Sequence, residues 1–277
     1  MSVREHTFAS PGTAPSLDVR NAAGSVAVTA VEGADRVDVR VEALDGAAEE
    51  LLPEVDVSAS RDGGTGPLRV RVAVPERRLF RTPRFAVAVT APARSDLRVA
   101  VASAEADLRG PLGRVDVRTA SGDAGIERAE RLEVRSASGD VEVGTVTGRA
   151  AVGTASGDVR VDRAEDGLEV RTASGGISAG RVAGDVFLGT ASGDVEVAAV
   201  ERGAVRLKTV SGDAVIGVVP GLRVWLELSS LSGNMRSELT DEPAGGADDT
   251  GPATVSISAR TVSGDVRIHP VVAAAAG

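Results

Sequence analysis

The sequence has no cysteine and very few aromatic residues. Its 277 residues include no Tyr, one Trp and four Phe, and aromatic residues make up 2% of the chain. A chain without cysteine forms no disulfide, no thiolate metal site and no catalytic thiol. This composition fits a reducing compartment. The apolar material is mainly Val, Ala, Leu and Ile, and Val favours strands because its branched Cβ suits a pleated surface.

The chain also lacks an excess of basic charge and any long apolar run. Its formal net charge is -9, and Lys208 is the only lysine. A nucleic-acid partner requires a basic face that neutralises phosphates, so the sequence predicts no nucleic-acid partner. No apolar run approaches the roughly 20 residues that span a bilayer, and the first residues lack the apolar segment of a secretory signal. The sequence therefore predicts a cytoplasmic protein without a direct membrane span.

A Ser-Gly pair recurs along the chain at a nearly constant interval. Successive intervals are 17, 18, 18, 18, 19, 21 and 31 residues. The serines of these pairs are Ser121, Ser138, Ser156, Ser174, Ser192, Ser211, Ser232 and Ser263. A fixed period of this length is typical of a repeat architecture.

Within one repeat, apolar and polar residues alternate with a period of two. In "SGDVRVDRAEDGLEVRTA" the apolar positions are Val159, Val161, Leu168 and Val170, with Thr172 in phase. This alternation places one face inward and one outward, as in a half-buried strand. Each run has four to six residues and is bounded by Gly or Asp turns. The sequence predicts two short strands per repeat, with these five residues facing the interior.

Two architectures accommodate short strands at this spacing. An antiparallel sandwich also shows regular strand spacing, but it gives no reason for the same residue type to recur at the same register. A solenoid does, because equivalent residues stack about 4.8 Å apart. The stacked hydroxyls can hydrogen-bond along their column, and Gly tolerates the positive φ of a sharp corner. The predicted hydroxyl column consists of Thr119, Ser136, Thr154, Thr172, Thr190, Thr209, Ser230 and Thr261.

We therefore predict an all-β fold, a single-stranded parallel β-helix with right-handed winding and coils of about 18 residues. One domain covers residues 1–277. Residues 1–100 form irregular, strand-rich first coils and a cap, since an open terminal coil is a bare sheet edge. Within them, "GAAEELLPEV" is long enough for one helical turn. Residues 101–270 form the regular repeats, and an acidic, Gly-rich loop is inserted at 236–253.

The repeated "TASGDV" corner, preceded by "VTAPARSDLRVAVASAEADL", resembles the bacterial toastrack or "putative adhesin" β-strand-repeat family, whose function is unknown. The resemblance covers nearly the whole chain and implies a single-stranded parallel β-helix. It also implies a link to cell-envelope stress systems, in which many members carry membrane segments. The family supplies no catalytic residues to transfer.

An acidic residue follows most Ser-Gly pairs. These residues are Asp123, Asp140, Asp158, Asp194, Asp213 and Asp265, and Gly176 and Asn234 interrupt the series. Stacked carboxylates could form a strip that binds cations. Alternatively, each Asp caps its own turn with its short acceptor side chain, which is the interpretation we favour. Basic residues five positions earlier could neutralise the column; they are Arg118, Arg135, Arg171, Lys208 and Arg260.

The sequence offers little for catalysis or metal binding. Glycoside hydrolysis requires two carboxyls at a set separation, whereas the acidic residues here are spread over every repeat. His6 and His269 lie near opposite ends of the chain without ligand spacing. We therefore predict no enzyme activity, no metal and no cofactor.

Trp225, in "LRVWLELSS", alternates with Arg223 and Glu227 and is predicted to face outward. It is either covered in part by the 236–253 loop or exposed as an anchor for a partner. We predict that it forms a partner-facing patch with the acidic loop residues Asp241, Glu242, Asp248 and Asp249.

Three function classes remain open. The first is a non-catalytic binding or scaffold module, adhesin-like or linked to envelope-stress signalling, whose partner is a protein. The second is a self-assembling structural protein whose coils stack end to end, and the third is a carbohydrate-active β-helix enzyme. A repetitive surface without a clustered site favours the first class. The sequence does not indicate an oligomeric state.

Overall fold

The computed structural model describes residues 2–61, 66–75, 82–239 and 255–271. Within these ranges most residues are in β-strands, which confirms the all-β prediction. The chain divides into two compact units, Met1–Val146 and Thr147–Gly277. The assignment of residues 1–277 to one domain stays a prediction. No helix in the described part of the chain is long and apolar enough to cross a membrane.

The first unit begins with irregular strands and continues into the regular repeat. Its helix α1 (Gly46–Leu51) is followed by a 3-10 turn at Leu52–Glu54. Its strands are β1 (Val3–Ala9), β2 (Ser16–Asn21), β3 (Gly24–Val31), β4 (Arg36–Ala43), β5 (Asp56–Arg61), β6 (Leu68–Ala73), β7 (Phe85–Pro92), β8 (Asp96–Val101), β9 (Glu105–Arg118), β10 (Ala124–Arg135) and β11 (Val141–Val146).

Helix α1 corresponds to the single helical turn expected in "GAAEELLPEV". The Asp45 carboxylate accepts a hydrogen bond of 2.7 Å from the Ala48 backbone N–H, as an N-cap residue does. The helix and the 3-10 turn bury Ala48, Leu51 and Leu52. This small apolar face is the reason a helix of six residues persists in a strand-rich unit.

In the first unit, β2 and β3 lie between later strands of the chain. β2 pairs in parallel with both β6 and β8, and β3 pairs in parallel with both β7 and β9. Three antiparallel pairings surround this parallel arrangement: β4 with β7, β1 with β4, and β5 with β6. The sequence predicted first coils and a cap in residues 1–100. It did not predict this strand order, in which later strands flank the earlier strands β2 and β3 on both sides.

The second unit consists of shorter strands in two ladders. The strands are β12 (Ala150–Gly153), β13 (Val159–Ala164), β14 (Leu168–Arg171), β15 (Ile177–Ala183), β16 (Val186–Gly189), β17 (Val195–Lys208), β18 (Ala214–Val218), β19 (Val224–Ser232), β20 (Met235–Ser237), β21 (Val255–Ser263) and β22 (Val266–Pro270). Neighbouring repeats pair in parallel, which excludes the antiparallel sandwich for this unit.

Strand order in the second unit follows the sequence until β18 and then changes. β12, β14, β16 and the second half of β17 form one ladder, with partners 18 or 19 residues apart. The same half of β17 then pairs with β21, and β21 pairs with β19. In the other ladder β18 pairs with β22, and β22 pairs with β20. The last repeat in the chain is thus inserted between the two that precede it.

The interior is lined by the residues that the period-two alternation predicted. Val159, Val161, Leu168 and Val170 each expose 2% of their surface or less, and Thr172 is also buried. Side chains of Val, Ala, Leu and Ile fill this interior, which contains few aromatic rings. The inward-face prediction is confirmed for all five residues.

The Gly of each Ser-Gly pair is required mainly by close packing between repeats. A Cβ placed on Gly175 would overlap the backbone carbonyl of Gly157, and one on Gly193 would overlap that of Gly175. A positive φ was the predicted reason, but among the Ser-Gly glycines it holds only at Gly212 and Gly264, with φ of 139° and 143°. Elsewhere in the column, only a residue without a side chain lets adjacent corners approach this closely.

Several hydroxyls of the predicted column bond to the corner backbone. Thr119 Oγ1 accepts a hydrogen bond from the Gly122 N–H at 2.9 Å and donates to the Gly122 carbonyl at 2.8 Å. Ser136 makes the same pair of bonds to Gly139. At Thr119 and Ser136, local hydrogen bonds to the corner glycine take the place of the predicted bonds between stacked hydroxyls. The buried hydroxyls of Thr209, Ser230 and Thr261 have no hydrogen-bond partner among the described residues. Thr190 also reaches a neighbouring repeat, donating to the Gly175 carbonyl at 3.4 Å.

Candidate functional site

Five of the six aspartates that follow the Ser-Gly pairs accept a hydrogen bond from a neighbouring repeat. Asp123 Oδ1 accepts from the Asp140 N–H at 2.9 Å, and Asp158 Oδ1 accepts from the Gly176 N–H at 2.8 Å. The Asp194 carboxylate accepts from the Asp213 N–H in the same way. These three carboxylates cap the equivalent corner of the next repeat, since stacking brings that amide within reach. The sequence had predicted a cap on each residue's own turn.

The hydrogen bonds of the aspartate series also follow the changed strand order of the last three repeats. Asp213 Oδ1 accepts from the Asp265 N–H, 52 residues away, at 2.8 Å. Asp265 Oδ1 in turn accepts from the Asn234 N–H at 2.8 Å. Asn234 lies in the outermost repeat of this series. In the described residues no group of three or more His, Asp or Glu side chains is arranged to hold a metal ion.

The basic residues near the corners pair along their own strands or with neighbouring strands. Arg118 lies 3.4 Å from the Asp116 carboxylate, and Arg171 lies 2.9 Å from that of Glu169. Arg135 pairs with Glu133 in the same manner. Arg118, Arg135 and Arg171 therefore pair with carboxylates on the strands, and neutralisation of the aspartate column by the basic residues stays a prediction. An arginine reaches a carboxylate two residues away on the same strand face more readily than one around the corner.

Trp225 lies on the outer face of β19, as its alternation predicted. Its side chain is 54% exposed and stands beside Ser256 of β21. The acidic residues predicted to complete its patch, Asp241, Glu242, Asp248 and Asp249, lie outside the described residues. The structure therefore describes this patch through Trp225 alone.

Further exposed apolar side chains lie in the last three repeats of the chain, one of which contains Trp225. Sequence reasoning missed them. Val210, Val262 and Leu231 are 53%, 45% and 85% exposed. They occupy one corner position, which is Ala in the regular corner "TASGD" and becomes Val or Leu in "TVSGD" and "SLSGN". Because the corner projects outward, this change from Ala was the signal that could have identified them.

Trp225 and Leu231 lie on a strand that forms an open edge of the sheet among the described residues. In the described chain β19 pairs with β21 alone, and β20 pairs with β22 alone. Val224, Leu226 and Leu228 of β19 face the interior but are only half-buried, whereas their register partners Val255, Ile257 and Ala259 are fully buried. This edge, consisting of β19 and β20 with Trp225, Leu231 and Met235 exposed, is called the β19 edge below.

A second candidate surface lies in the first unit. An open groove of about 520 Å³ is lined by Arg20, Arg98 and Arg118. Arg20 pairs with Asp18, whose hydrogen bond and charge raise the pKa of Arg20. Arg98 and Arg118 both approach Asp116, at 3.7 and 3.4 Å. The nearby carboxylates balance much of the positive charge, so this groove is a weaker candidate for binding than the β19 edge.

The two histidines occupy separate strands. The His6 ring stacks on Phe8 with centroids 6.2 Å apart. His269 Nδ1 lies 3.1 Å from the Pro270 carbonyl oxygen. Neither arrangement adds a ligand set to the β19 edge.

The family model described as Toastrack DUF4097 matches residues 13–269. No protein of curated function matches the sequence. Among solved structures, a "putative adhesin" from Parabacteroides merdae is 11% identical, with a TM-score of 0.44, over 98% of this chain and 96% of its own. A "putative lipid binding protein" from Parabacteroides distasonis is 13% identical, with a TM-score of 0.42, over 98% and 97%.

Proposed function

The chain belongs to the Toastrack DUF4097 family, and we propose that it is a non-catalytic module that binds a protein partner through the β19 edge. The observation that carries this proposal is the exposure of Trp225 and Leu231 on a nine-residue strand that, among the described residues, is paired on one side only. Trp is enriched among residues that dominate binding energy, and clustered exposed apolar side chains are typical of interaction surfaces.

The chemistry of the ionisable groups supports binding over catalysis. Perturbed pKa values in an enzyme site arise from burial and converging charges. Here the pKa of Arg109 is raised by its hydrogen bond with Asp107, and the pKa of Glu238 is lowered by its hydrogen bond with Arg267. Both are exposed surface pairs. The corner aspartates, which are the most regular carboxylates in the chain, are engaged in capping backbone amides.

We further infer that the scaffold is a single-stranded parallel β-helix with right-handed winding. Parallel partners 17 to 19 residues apart support it in each unit, as does the Gly column that adjacent corners require. An experimentally phased crystal structure tests the winding. Antiparallel pairing of the repeats, or left-handed winding, would contradict this inference.

We also propose a cytoplasmic location, which the absence of cysteine supports. Cell fractionation with an antibody against the chain tests it. Recovery in the membrane or extracellular fraction would overturn it.

Affinity capture from the native host tests the binding function. We expect the wild-type chain to retain a protein partner and Trp225→Ser to lose it, because the largest exposed side chain of the β19 edge is removed. Val31→Ser is the matched control, since Val31 is 40% exposed in the other unit. The captured partner must also bind when purified, measured by calorimetry. Its identity distinguishes an adhesin-like role from one in envelope stress.

Equal capture by both variants would contradict the proposed surface. Cleavage of a polysaccharide in a substrate screen would contradict the non-catalytic assignment and favour the carbohydrate-active alternative.

A further inference from the structure

The outer side of β19 presents a row of backbone groups that could pair with another strand. In the described residues its hydrogen-bonded neighbour is β21, which lies on one side. An edge strand with free N–H and C=O groups is a template for strand addition. The question is therefore which strand the β19 edge accepts.

β19 lacks the usual features that prevent pairing between edges. Its sequence, "VWLELSSLS", contains no Pro, Gly, Lys or Arg in nine residues. Its one charge, on Glu227, is already paired with Arg260 at 2.9 Å. Proteins commonly protect such edges with Lys, Pro, bulges or inward charges. The absence of these features from β19 indicates a strand whose pairing is used.

Among the described residues, the interior of the second unit ends at β19. Val224, Leu226 and Leu228 are half-buried, although the residues they pair with on β21 are fully buried. A further strand over β19 would complete the burial of these three residues. The occupant must therefore add apolar side chains on the interior face as well as backbone hydrogen bonds.

The segment between β20 and β21 has the wrong composition for this position. Residues 240–254 contain two Pro, three Gly and four acidic residues, and no apolar side chain larger than Ala. Pro and Gly are depleted in strands, and Ala adds little apolar area. The chemistry favours a strand from another molecule.

We propose that the β19 edge pairs with the β19 edge of a second copy of this chain, giving a two-fold symmetric dimer. In a two-fold interface residue i meets residue j and j meets i, so the two strands run antiparallel. When the symmetry axis passes through Leu228, the central residue of β19, all nine residues pair. This inference rests on the proposed function, because it names the partner of the same surface.

This register makes β19 complementary to itself. Trp225 lies opposite Leu231 of the second copy, so the two large exposed apolar residues of the outer face meet. Glu227 lies opposite Ser229, and Leu226 lies opposite Ser230. Interior positions face interior positions, as the two-residue period of a strand demands.

Neighbouring registers are worse. An axis through Glu227 places this carboxylate opposite itself, and like charges directly opposite are destabilising. An axis through Ser229 places Glu227 opposite Leu231 and leaves Val224 and Trp225 without partners on the strand. The axis through Leu228 avoids both conflicts.

Sedimentation equilibrium of the full chain tests the dimer. We expect a concentration-dependent dimer for the wild type, and for Leu231→Glu a dissociation constant raised at least about tenfold, because the new carboxylate faces Trp225 of the second copy. Leu231 is 85% exposed, so the substitution leaves the interior intact. Val210→Glu is the matched control, since Val210 occupies the same corner position in an interior repeat.

A single introduced cysteine tests the register, because the chain has none of its own. Leu228→Cys places the thiol opposite its own copy, and we expect a disulfide-linked dimer on mild oxidation. Val31→Cys is the control and should stay monomeric on a non-reducing gel.

A monomeric wild type at all concentrations would overturn the inference. A dimer formed only after removal of residues 272–277 would also overturn it, since the chain would then cover its own edge. A dimer that Leu231→Glu leaves intact would assign dimerisation to another surface. In each case, capture of a different protein through Trp225 would leave the proposed function standing. Absence of both dimerisation and capture would reject the proposed function as well.

Discussion

The two units contain edge strands of opposite character. β1 of the first unit carries Arg4, Glu5 and His6 within seven residues, whereas β19 of the second carries a single charge in nine. Arg4 Nη1 donates to the carbonyls of Leu52 and Val55, each at 3.0 Å. β1 is thus fixed to the turn that follows α1, and its charges oppose addition of a further strand. The comparison shows that one repeat architecture can have a protected edge and an open one.

The two units are alike in a different respect, because each contains strands whose position in the sheet departs from their order in the sequence. β2 and β3 lie between later strands of the first unit, and β21 and β22 lie between earlier strands of the second. A strand with two neighbours has both rows of backbone groups satisfied. In the second unit the described outer edge is therefore formed by β19 and β20, which precede the inserted strands in the sequence.

The largest expected effect on stability distinguishes the fully buried interior around Val170 from the half-buried interior at β19. Val170→Asp should abolish cooperative unfolding, because Val170 is fully buried and an unpaired carboxylate there costs several kcal/mol. Leu228→Asp, at the half-buried β19 position, should still unfold cooperatively. Circular dichroism during thermal denaturation provides the comparison. Wild-type-like melting of Val170→Asp would mean that the inward face is assigned wrongly.

The next effect concerns the contact between corners. Gly175→Ala should lower the free energy of unfolding by about 1–3 kcal/mol, as overpacking does, because the added Cβ overlaps the Gly157 carbonyl. Gly153→Ala is the control, since nothing lies within 4 Å of a Cβ at that position. Urea denaturation measures both. Equal stability of the two variants would show that the corners do not pack this closely.

The protected edge of the first unit should be weakened by Arg4→Ala. Loss of the bonds to Leu52 and Val55 should cost about 1–2 kcal/mol and should increase hydrogen exchange in β1 and α1. Arg160→Ala is the control, because Arg160 is an exposed residue of the second unit that pairs with Asp162 along its own strand. Unchanged exchange in β1 would mean that Arg4 does not hold this edge.

The smallest effect should come from the aspartate column. Asp158→Asn should change stability by less than about 0.5 kcal/mol, because the amide oxygen still accepts from the Gly176 N–H. Asp158→Ala should cost about 1 kcal/mol, since the amide loses its acceptor. Thermal denaturation with and without calcium provides the measurement. A calcium-dependent rise in melting temperature that Asp158→Asn removes would favour the cation-binding alternative.

The sequence predicted the parts of the fold that depend on local pattern. The alternation of Val159, Val161, Leu168 and Val170 determines which face is buried, because a strand has only two faces. The hydrogen bonds of Thr119 follow from the three-residue spacing between a corner hydroxyl and its Gly.

The order of the last repeats could not be predicted in this way. Corners such as "TVSGD" at 209–213 and 261–265 are identical, so either could stack on the same neighbour. The choice depends on burial over whole strands: Val255, Ile257 and Ala259 fill an interior layer, and β19 is left at the edge. The candidate site follows from that order. Trp225 alone could be selected from sequence, and the open side of its strand could not.

The inserted position of β21 and β22 constrains the order in which the protein can assemble during synthesis. β19 and β20 leave the ribosome before β21 and β22, the strands with which they pair among the described residues. Contacts that span 31 and 52 residues replace the 18-residue contacts of the other repeats, and such separations slow folding. A nascent chain therefore keeps β19 without its native partner until β21 has been synthesised.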